Sequence, residues 1–534
     1  MMQWLPLGTR LSRSGDLKCC ILINGLQAGR KKVIKLTIIY TQKSFPPPPF
    51  DREIGMMMYY RLLYEGEHAE IFPRAQSVTK ERKVVRRRVG VRSWRQVEKV
   101  FSADYQYIVA NFSSLVAEVP ADLLNRSLGN ISADTEKGPE LEFVSSVVTA
   151  SKPNEKIWAA VTQHQVDGLV AYRIRRDESG SVWFEWILGD RYFPHDDGRG
   201  ADIAWIEEWG EENRKDRFLR VERQRLSAQG LSAQQLVYKM EGDNVAAEIN
   251  IDQYSADHDM DIPEDAELKG VHELLCGVVT NEETLTHLRG RSALRNIDGL
   301  QEEINWTITR DAIVFEKHGK PKLAIPRALW DTVANQNHRD YGARFVRSDD
   351  LEVVSFDEKT GAVPQYITWD AKTAQSFEHV TRLIKFMLSI SKTSPQAAGL
   401  EEGKGDSGVA LLYLWIQSVI KAEAVQSKFD AAIKSAIRKC MILENAIGGT
   451  SLKVANPVVE WGDLLPKADS EKDTEEIAKY EGGVQSLETT VRRMHPDWSE
   501  KAIESEIQKI RDEQAAEGMN PTFTQPPKVN LGDS

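Results

Sequence analysis

The sequence predicts an α+β chain, and three stretches carry that prediction. Residues 371–449 read as two amphipathic helices joined by a charged, glycine-rich loop. Residues 158–254 alternate apolar and polar side chains around turn residues, as strands do. Residues 292–315 return to helical spacing. At 534 residues the chain exceeds one ordinary core, so several structural regions are expected. Its 41% hydrophobic and 28% charged residues are those of a folded chain. The longest apolar run, Val409 to Ile416, is far short of the ~20 residues that span a bilayer. Cys19, Cys20, Cys276 and Cys440 form neither a disulfide framework nor a zinc pattern, which suits a reducing cytoplasm.

Charge is unevenly placed. Residues 1–55 hold nine Lys and Arg against three Asp and Glu, a net of +6, so the other 479 residues carry −17 of the whole-chain −11. Tight nucleic-acid binding normally shows a basic footprint, which an acidic body lacks. The same 55 residues have no period and contain a proline run at Pro46–Pro49; the apolar patch Cys19–Ile23 is too short for a signal peptide. They are expected to be a leader or a disordered basic arm, with Met56, Met57 or Met58 as the natural start.

Along the remaining chain, Tyr59 to Pro120 reads as helical, Trp94–Val116 included, and the basic run Lys80–Arg95 as a solvated face. LVAYRIRRDESGSVWFEWIL (169–188) is a hairpin around an ESGS turn, and residues 201–226 and 235–254 repeat that style. Ser292–Phe315 is a helix with Ile297, Leu300, Ile304 and Ile308 in register. Lys322–Asp370 is short strands and turns. The helix that ends near Pro395 carries Phe377, Val380, Ile384 and Met387; QAAGLEEGKGDSG (396–408) follows. A longer helix then runs from Ser407 to Ile447, with Val409, Leu412, Ile416, Val419, Phe429, Ile433, Ile437 and Cys440 on one face. Ser407 is a fair N-cap, Gly448-Gly449 a C-cap, and the helix would reach about 60 Å. Lys467–Glu481 is an acidic connection. Leu487–Met494 and Ser499–Gln514 are two helices divided by His495-Pro496-Asp497, with Asp497 or Ser499 as cap, and Asn520–Ser534 is a frayed tail.

Candidates for chemistry fail one by one. GLEEGKGDSG departs from the phosphate-binding loop: three residues, not four, separate Gly399 from Gly403, and Lys404 is followed by Gly405. Glu401, Glu402 and Asp406 would repel phosphate. His195, Asp196, Asp197 and Asp202, like Asp257, His258, Asp259 and Asp261, lack metal-loop spacing and read as turns. Trp158, Trp183, Trp186, Trp205 and Trp209 read as packing rather than base-stacking residues. No catalytic residue, metal or cofactor is expected.

Four segments in order carry a resemblance: MMYYRLLYEGEHAEIF (57–72), RSALRNIDGLQEEINWTITRDAIVFEKHGKPKLAIP (291–326), the helix, loop, helix of 371–449, and VVEWGDLLP (458–466) with SLETTVRRMHPDWSEKAIESEIQKIRDEQ (486–514). Together they resemble the portal proteins, the head-to-tail connectors of tailed double-stranded DNA bacteriophages of the long-tailed type, over about Met56 to Gly518. The resemblance implies a wing at 56–290, a first stem helix at 291–318, a small α/β clip at 319–370 and a second stem helix at 371–395. A tunnel loop at 396–408, a long helix returning to the wing at 409–466, an acidic linker with crown helices at 467–518 and a disordered tail at 519–534 complete it.

In function it implies a non-enzymatic ring of about twelve copies at one capsid vertex. The genome would be packaged and ejected through that ring, in the virion and, during assembly, in the bacterial cytoplasm. Partners would be the chain itself, the terminase motor, scaffolding and major capsid proteins, a head-completion or adaptor protein, and duplex DNA held weakly. No membrane is involved. Gln396, Leu400, Glu401, Glu402, Gly403, Lys404, Gly405 and Asp406 would line the channel; Lys392 and Lys404 would touch DNA; Lys320, Lys322, Arg344 and Arg347 would serve docking at the clip. The rival readings are a metal-dependent DNA-processing enzyme and another minor head protein.

Overall fold

The computed structural model describes residues 40, 43–75, 84–88, 94–98, 107–135, 137–211, 214–260, 262–319, 322–326, 352–356, 365–367, 373–400, 408–465, 469–495 and 498–517. Helices α1 (Phe50–Glu65) and α2 (His68–Ile71) precede a hairpin of β1 (Val84–Arg88) and β2 (Trp94–Glu98). Next come α3 (Ser113–Ser127), β3 (Leu128–Ser132), α4 (Pro139–Ser151) and α5 (Pro153–Asp167). Strands β4 (Leu169–Arg176), β5 (Val182–Leu188), β6 (Tyr192–Pro194), β7 (Gly200–Glu211), β8 (Arg214–Leu226), β9 (Gly230–Glu241) and β10 (Asn244–Ile249) lead to α6 (Ile251–His258), β11 (Ala266–Lys269) and β12 (Cys276–Thr280). Helix α7 (Asp298–Gly319) precedes β13 (Lys322–Pro326), β14 (Glu352–Phe356) and β15 (Gln365–Ile367). The chain then forms α8 (Thr373–Ile390), α9 (Gly408–Ile447), β16 (Val458–Trp461), α10 (Asp469–Glu481), α11 (Leu487–Met494) and α12 (Glu500–Glu517).

The mixed α+β class follows directly. One sheet runs β10-β9-β8-β7-β6, with β11 also on β9, and a second runs β12-β4-β5. The β4–β5 turn closes as its residue types dictate: Asp177 Oδ1 accepts from Ser181 N at 2.7 Å and from the Ser179 hydroxyl at 2.7 Å. Strand β16 returns to pair with β3, Val459 opposite Ile131. Strand β13 lies between β14, parallel, and β15, antiparallel.

The main core forms where α9 from Val419 onward lies across α3, β4, β5 and β12. Val419, Ala422, Val425, Phe429, Ile433, Ile437 and Cys440 are all buried there. Phe429 is fully buried, edge-on to His164 and tilted against Trp186, both at 5.3 Å between centroids. Lysines on the same helix donate to main-chain carbonyls of the layer beneath: Lys421 to Val116, Lys428 to Thr280 and Lys439 to Cys276, at 2.9, 2.7 and 2.7 Å.

Several boundaries differ from the sequence expectation. The stretch up to residue 55 is not wholly outside the fold. Tyr40, Phe45, Phe50 and Ile54 are buried, and Phe45 and Phe50 pack on Phe193 at 5.5 and 5.3 Å. Phe45 N also donates to Asp243 O, so this segment is tied to the β9–β10 turn. Residues 1–39, with 41 and 42, lie outside the described residues. The helix expected through Trp94–Val116 is instead a hairpin, Val84 pairing Glu98 and Arg88 pairing Trp94; among the described residues no helix follows it before Ser113. Val84, Val85 and Val97 are β-branched, and Gly90 lies between the arms in sequence, both of which favour a hairpin.

Helix α7 begins at Asp298, six residues after Ser292. The Ser292 hydroxyl accepts from Leu294 N, and Asn296 turns the chain at φ +65°. The acidic connection is helical, as α10. With α11 and α12 it forms a small helical group in which Val491, Ile503 and Ile507 are buried. Ser486 caps α11, and Ser499 caps α12 through Ala502 N. The tail from 518 lies outside the described residues.

Candidate functional site at the long-helix junction

Helices α7 and α8 pack through Ile304, Leu383 and Met387, all buried, with Leu300, Ile308, Val380 and Ile384 around them. The apolar residues of α8 are divided. Val380, Leu383, Ile384 and Met387 face the core, whereas Phe377, Phe386 and Ile390 are 60%, 57% and 51% exposed. At 100° per residue Phe377 lies on one flank of the buried stripe and Phe386 with Ile390 on the other. The apolar face expected from Phe377 to Met387 thus loses Phe377.

Helix α9 divides along its length instead. Val419 onward faces the core, while Tyr413, Ile416 and Ile420 point away from it and are exposed. Ile416, expected in the buried stripe, belongs to this outward set. Beyond Ile420 the exposed positions up to the last turn are Glu423, Ala424, Ser427 and Ala431, so no large apolar side chain is exposed again before Ile447.

Two caps shape the junction. Thr393 N donates to Leu388 O and Lys392 N to Ser389 O, with Lys392 at φ +54°, a left-handed position usually given to glycine. The second follows at once: Leu400 N donates to Pro395 O and Gly399 N to Gln396 O, with Gly399 at φ +71°. Between them Ser394 is buried, its N and Oγ both 2.9 Å from the Ser418 hydroxyl of α9. Gln396–Ala398 are therefore part of a capped, half-buried turn rather than a free loop, with Ala397 packed on the main core. Leu400 is 38% exposed. Glu401, Glu402, Gly403, Lys404, Gly405 and Asp406 lie outside the described residues, as do Lys320, Arg344 and Arg347; Lys322 opens β13.

Lys392 is exposed and stands 4.0 Å from Glu282. The neighbouring Lys421 ammonium is lowered to about 7, chiefly by burial and further by Lys392, against the pull of Glu282.

A buried polar ladder, which the apolar register of α7 concealed, anchors the base of that helix. Gln301, Asn305 and Thr309 recur every fourth residue and receive the backbone of 108–113: Ser113 N to Gln301, Ala110 N to Asn305 and Ile108 N to Thr309, each at 3.0 Å. His68 Nε2 donates to Leu63 O at 3.0 Å, and its Nδ1 accepts from Asn305 Nδ2 at 2.7 Å. Burial lowers the pKa of this imidazole, which fits its neutral bonding pattern. Polar side chains at i, i+4 and i+8 beside an apolar stripe are the signal that would have revealed the ladder.

The carboxylate clusters act locally. His195 Nε2 donates to Asp202 at 2.9 Å, both buried, and the half-buried Arg223 forks the same carboxylate at 3.0 and 2.9 Å. Burial pushes the Asp202 carboxyl up, but these bonds outweigh it and hold it below the usual range. Asp197 caps Arg199 N and pairs Arg225. His258 stacks on Trp209, Asp259 ends α6 at φ +50°, and Asp261 lies outside the described residues. Among the described residues no group of three or more His, Cys, Asp or Glu could hold a metal ion, and no helix is long and apolar enough to cross a membrane. Trp158 and Trp186 pack on the main core, the Arg173 and Arg220 guanidinium groups lie over the Trp205 ring, and Trp183 is half-buried.

No protein-family model and no curated protein matches the chain. Among the solved structures it is similar to is one described as the neck of an empty GTA particle computed with C6 symmetry. The two are 13% identical at a TM-score of 0.40, over 72% of this chain and 88% of that one. Likeness of that degree carries no inference about what the chain does.

Proposed function

We propose that the chain is the repeating subunit of a portal-type ring, a non-enzymatic channel at one capsid vertex of a phage-like particle. One observation carries the reading: α8 buries one apolar face in its own chain and leaves apolar residues of its flank exposed, and α9 is buried from Val419 onward but leaves apolar residues nearer its start exposed. These exposed apolar residues are Phe386 and Ile390 on α8 and Tyr413, Ile416 and Ile420 on α9. Singly scattered apolar residues need no explanation, but rows at helical spacing on long helices fit contact between copies. Contact between unlike patches of neighbouring copies repeats head to tail and forms a ring where the rotation closes.

The sequence resemblance supplies the rest of the proposal. The 401–406 segment faces the channel, its acids repelling duplex DNA while Lys404 makes brief phosphate contacts. The β13–β15 region meets the terminase motor and later the head-completion protein. Scaffolding and major capsid proteins hold the ring in the shell, and the virion is its final location. Energy for packaging comes from the motor.

The test is the mass of the purified full chain by light scattering. A closed multiple of 60.3 kDa, unchanged on dilution, supports the reading. A 60.3 kDa species at every concentration removes it.

A further inference from the structure

The most exposed apolar side chains of the described residues outside α8 and α9 include a pair on one short loop. Leu285 is 97% exposed and Leu288 67%, between β12 and α7. This loop has a firmly built base. Asn281, 6% exposed, donates from N to Gly168 O at 2.8 Å and from Nδ2 to Arg291 O at 3.0 Å, and its carbonyl accepts from Arg291 N at 2.8 Å. Gly290, at φ +80°, lies so close that a Cβ there would sit 2.3 Å from Gly168 O, so only glycine fits. The tip closes on itself, Thr284 and His287 exchanging backbone bonds at 3.3 and 2.9 Å. Arg289 fixes the descending side, donating to Tyr192 O at 2.9 Å and pairing with Glu53 at 2.8 Å. The two leucines are held in water on a built finger, and a preorganised anchor loses little entropy on docking.

We propose that Leu285 and Leu288 seat on the exposed flank of α8 of a neighbouring copy, where His379, Arg382, Phe386 and Ile390 recur at helical spacing. The inference rests on the ring reading above. Charge selects this acceptor. Exposed Glu283 stands beside the leucines, and exposed Arg382, paired along its own helix with Glu378, stands beside Phe386 and Ile390. The finger cannot be serving its own α8, because its tip residue is almost fully exposed although Glu282 at its base lies 4.0 Å from Lys392 at the end of that helix. Donor and acceptor are different patches of one chain, so the contact repeats head to tail.

The experiment is disulfide trapping in the full chain carrying Cys19→Ser and Cys20→Ser; the other native thiols, Cys276 and Cys440, are buried. Leu285→Cys with Phe386→Cys, and separately Leu288→Cys with Ile390→Cys, are oxidised mildly and run without reductant. A ladder from dimer upward in at least one pair, absent from every single-cysteine variant, is expected. Glu283→Arg should lower the assembled fraction and Glu283→Arg with Arg382→Glu restore it. A chain that is a ring by light scattering but gives no ladder, or only an intrachain link, overturns the finger contact and leaves the ring reading standing. A monomeric wild type removes both.

Discussion

Substituting Ile304 and Phe386 separates folding from assembly. Ile304 is fully buried between α7 and α8, whereas Phe386 is 57% exposed on the outer flank of α8. Truncation of Ile304 to Ala should cost about 2–5 kcal/mol of stability. Ile304→Asp should cost more, since a carboxyl without a partner is then buried. Phe386→Asp should leave the melting temperature of the isolated subunit nearly unchanged. Its effect belongs to assembly. A phenylalanine side chain offers about 200 Å², and 57% of that is about 110 Å². Covering it at ~25 cal/mol/Å² is worth about 3 kcal/mol, a factor of roughly a hundred in each subunit contact. Light scattering and thermal unfolding on the same samples read both effects: Ile304→Asp unfolded or aggregated, Phe386→Asp folded and dissociated. A Phe386→Asp protein that assembles like the wild type, or one that fails to fold, would refute the division of the helix into a core face and a contact face.

Further outcomes are expected. His164 is fully buried and its imidazole is lowered to about 3, mainly by burial, so its contribution to stability is whole above the unfolded value of ~6.5 and is lost as pH falls toward 3. Thermal unfolding from pH 7 to 4 should show the wild type losing stability relative to His164→Gln; parallel curves would contradict this. Lys392→Gly should leave stability unchanged or raise it by up to about 1 kcal/mol in urea denaturation, because the left-handed strain of that position outweighs an exposed ion pair; a clear loss would mean that Lys392 has another structural role. Truncation after Pro466 removes helices whose buried residues are Val491, Ile503 and Ile507 of their own small group, so assembly should persist, and monomers by light scattering would place these helices in the ring contact. Replacing Glu401, Glu402 and Asp406 by Lys should produce DNA binding that weakens as salt rises; tight, sequence-selective binding by the wild type would contradict the channel assignment.

Two local elements were legible from local signals in the sequence. The 40 residues of α9 follow from uninterrupted helical spacing between Ser407 and the Gly448-Gly449 pair, and the β4–β5 hairpin follows from Asp177 to Ser181. Residues 94–98 read as helical although they form a local hairpin with 84–88; the rest of what escaped depends on distant partners. Tyr40, Phe45 and Phe50 read as an unpatterned leader because their partners, Tyr238 and Phe193, are far away in the chain. The Gln301–Asn305–Thr309 ladder was hidden for the same reason, since the backbone it satisfies lies nearly two hundred residues earlier. Hydrophobic spacing could locate the apolar stripes of α8 and α9 but not divide them, because only the fold decides that Val380 faces inward and Phe377 outward. Of the expected site, Lys392 and Gln396–Leu400 resolve into two caps tied to Ser418, a constraint on backbone hydrogen bonds that residue types alone do not fix.

Negative-stain imaging of the purified full chain, with rotational class averages, tests the central claim most directly. The account predicts closed rings with an open centre, which Phe386→Asp abolishes. Featureless single subunits, or compact particles without a central opening, would contradict it.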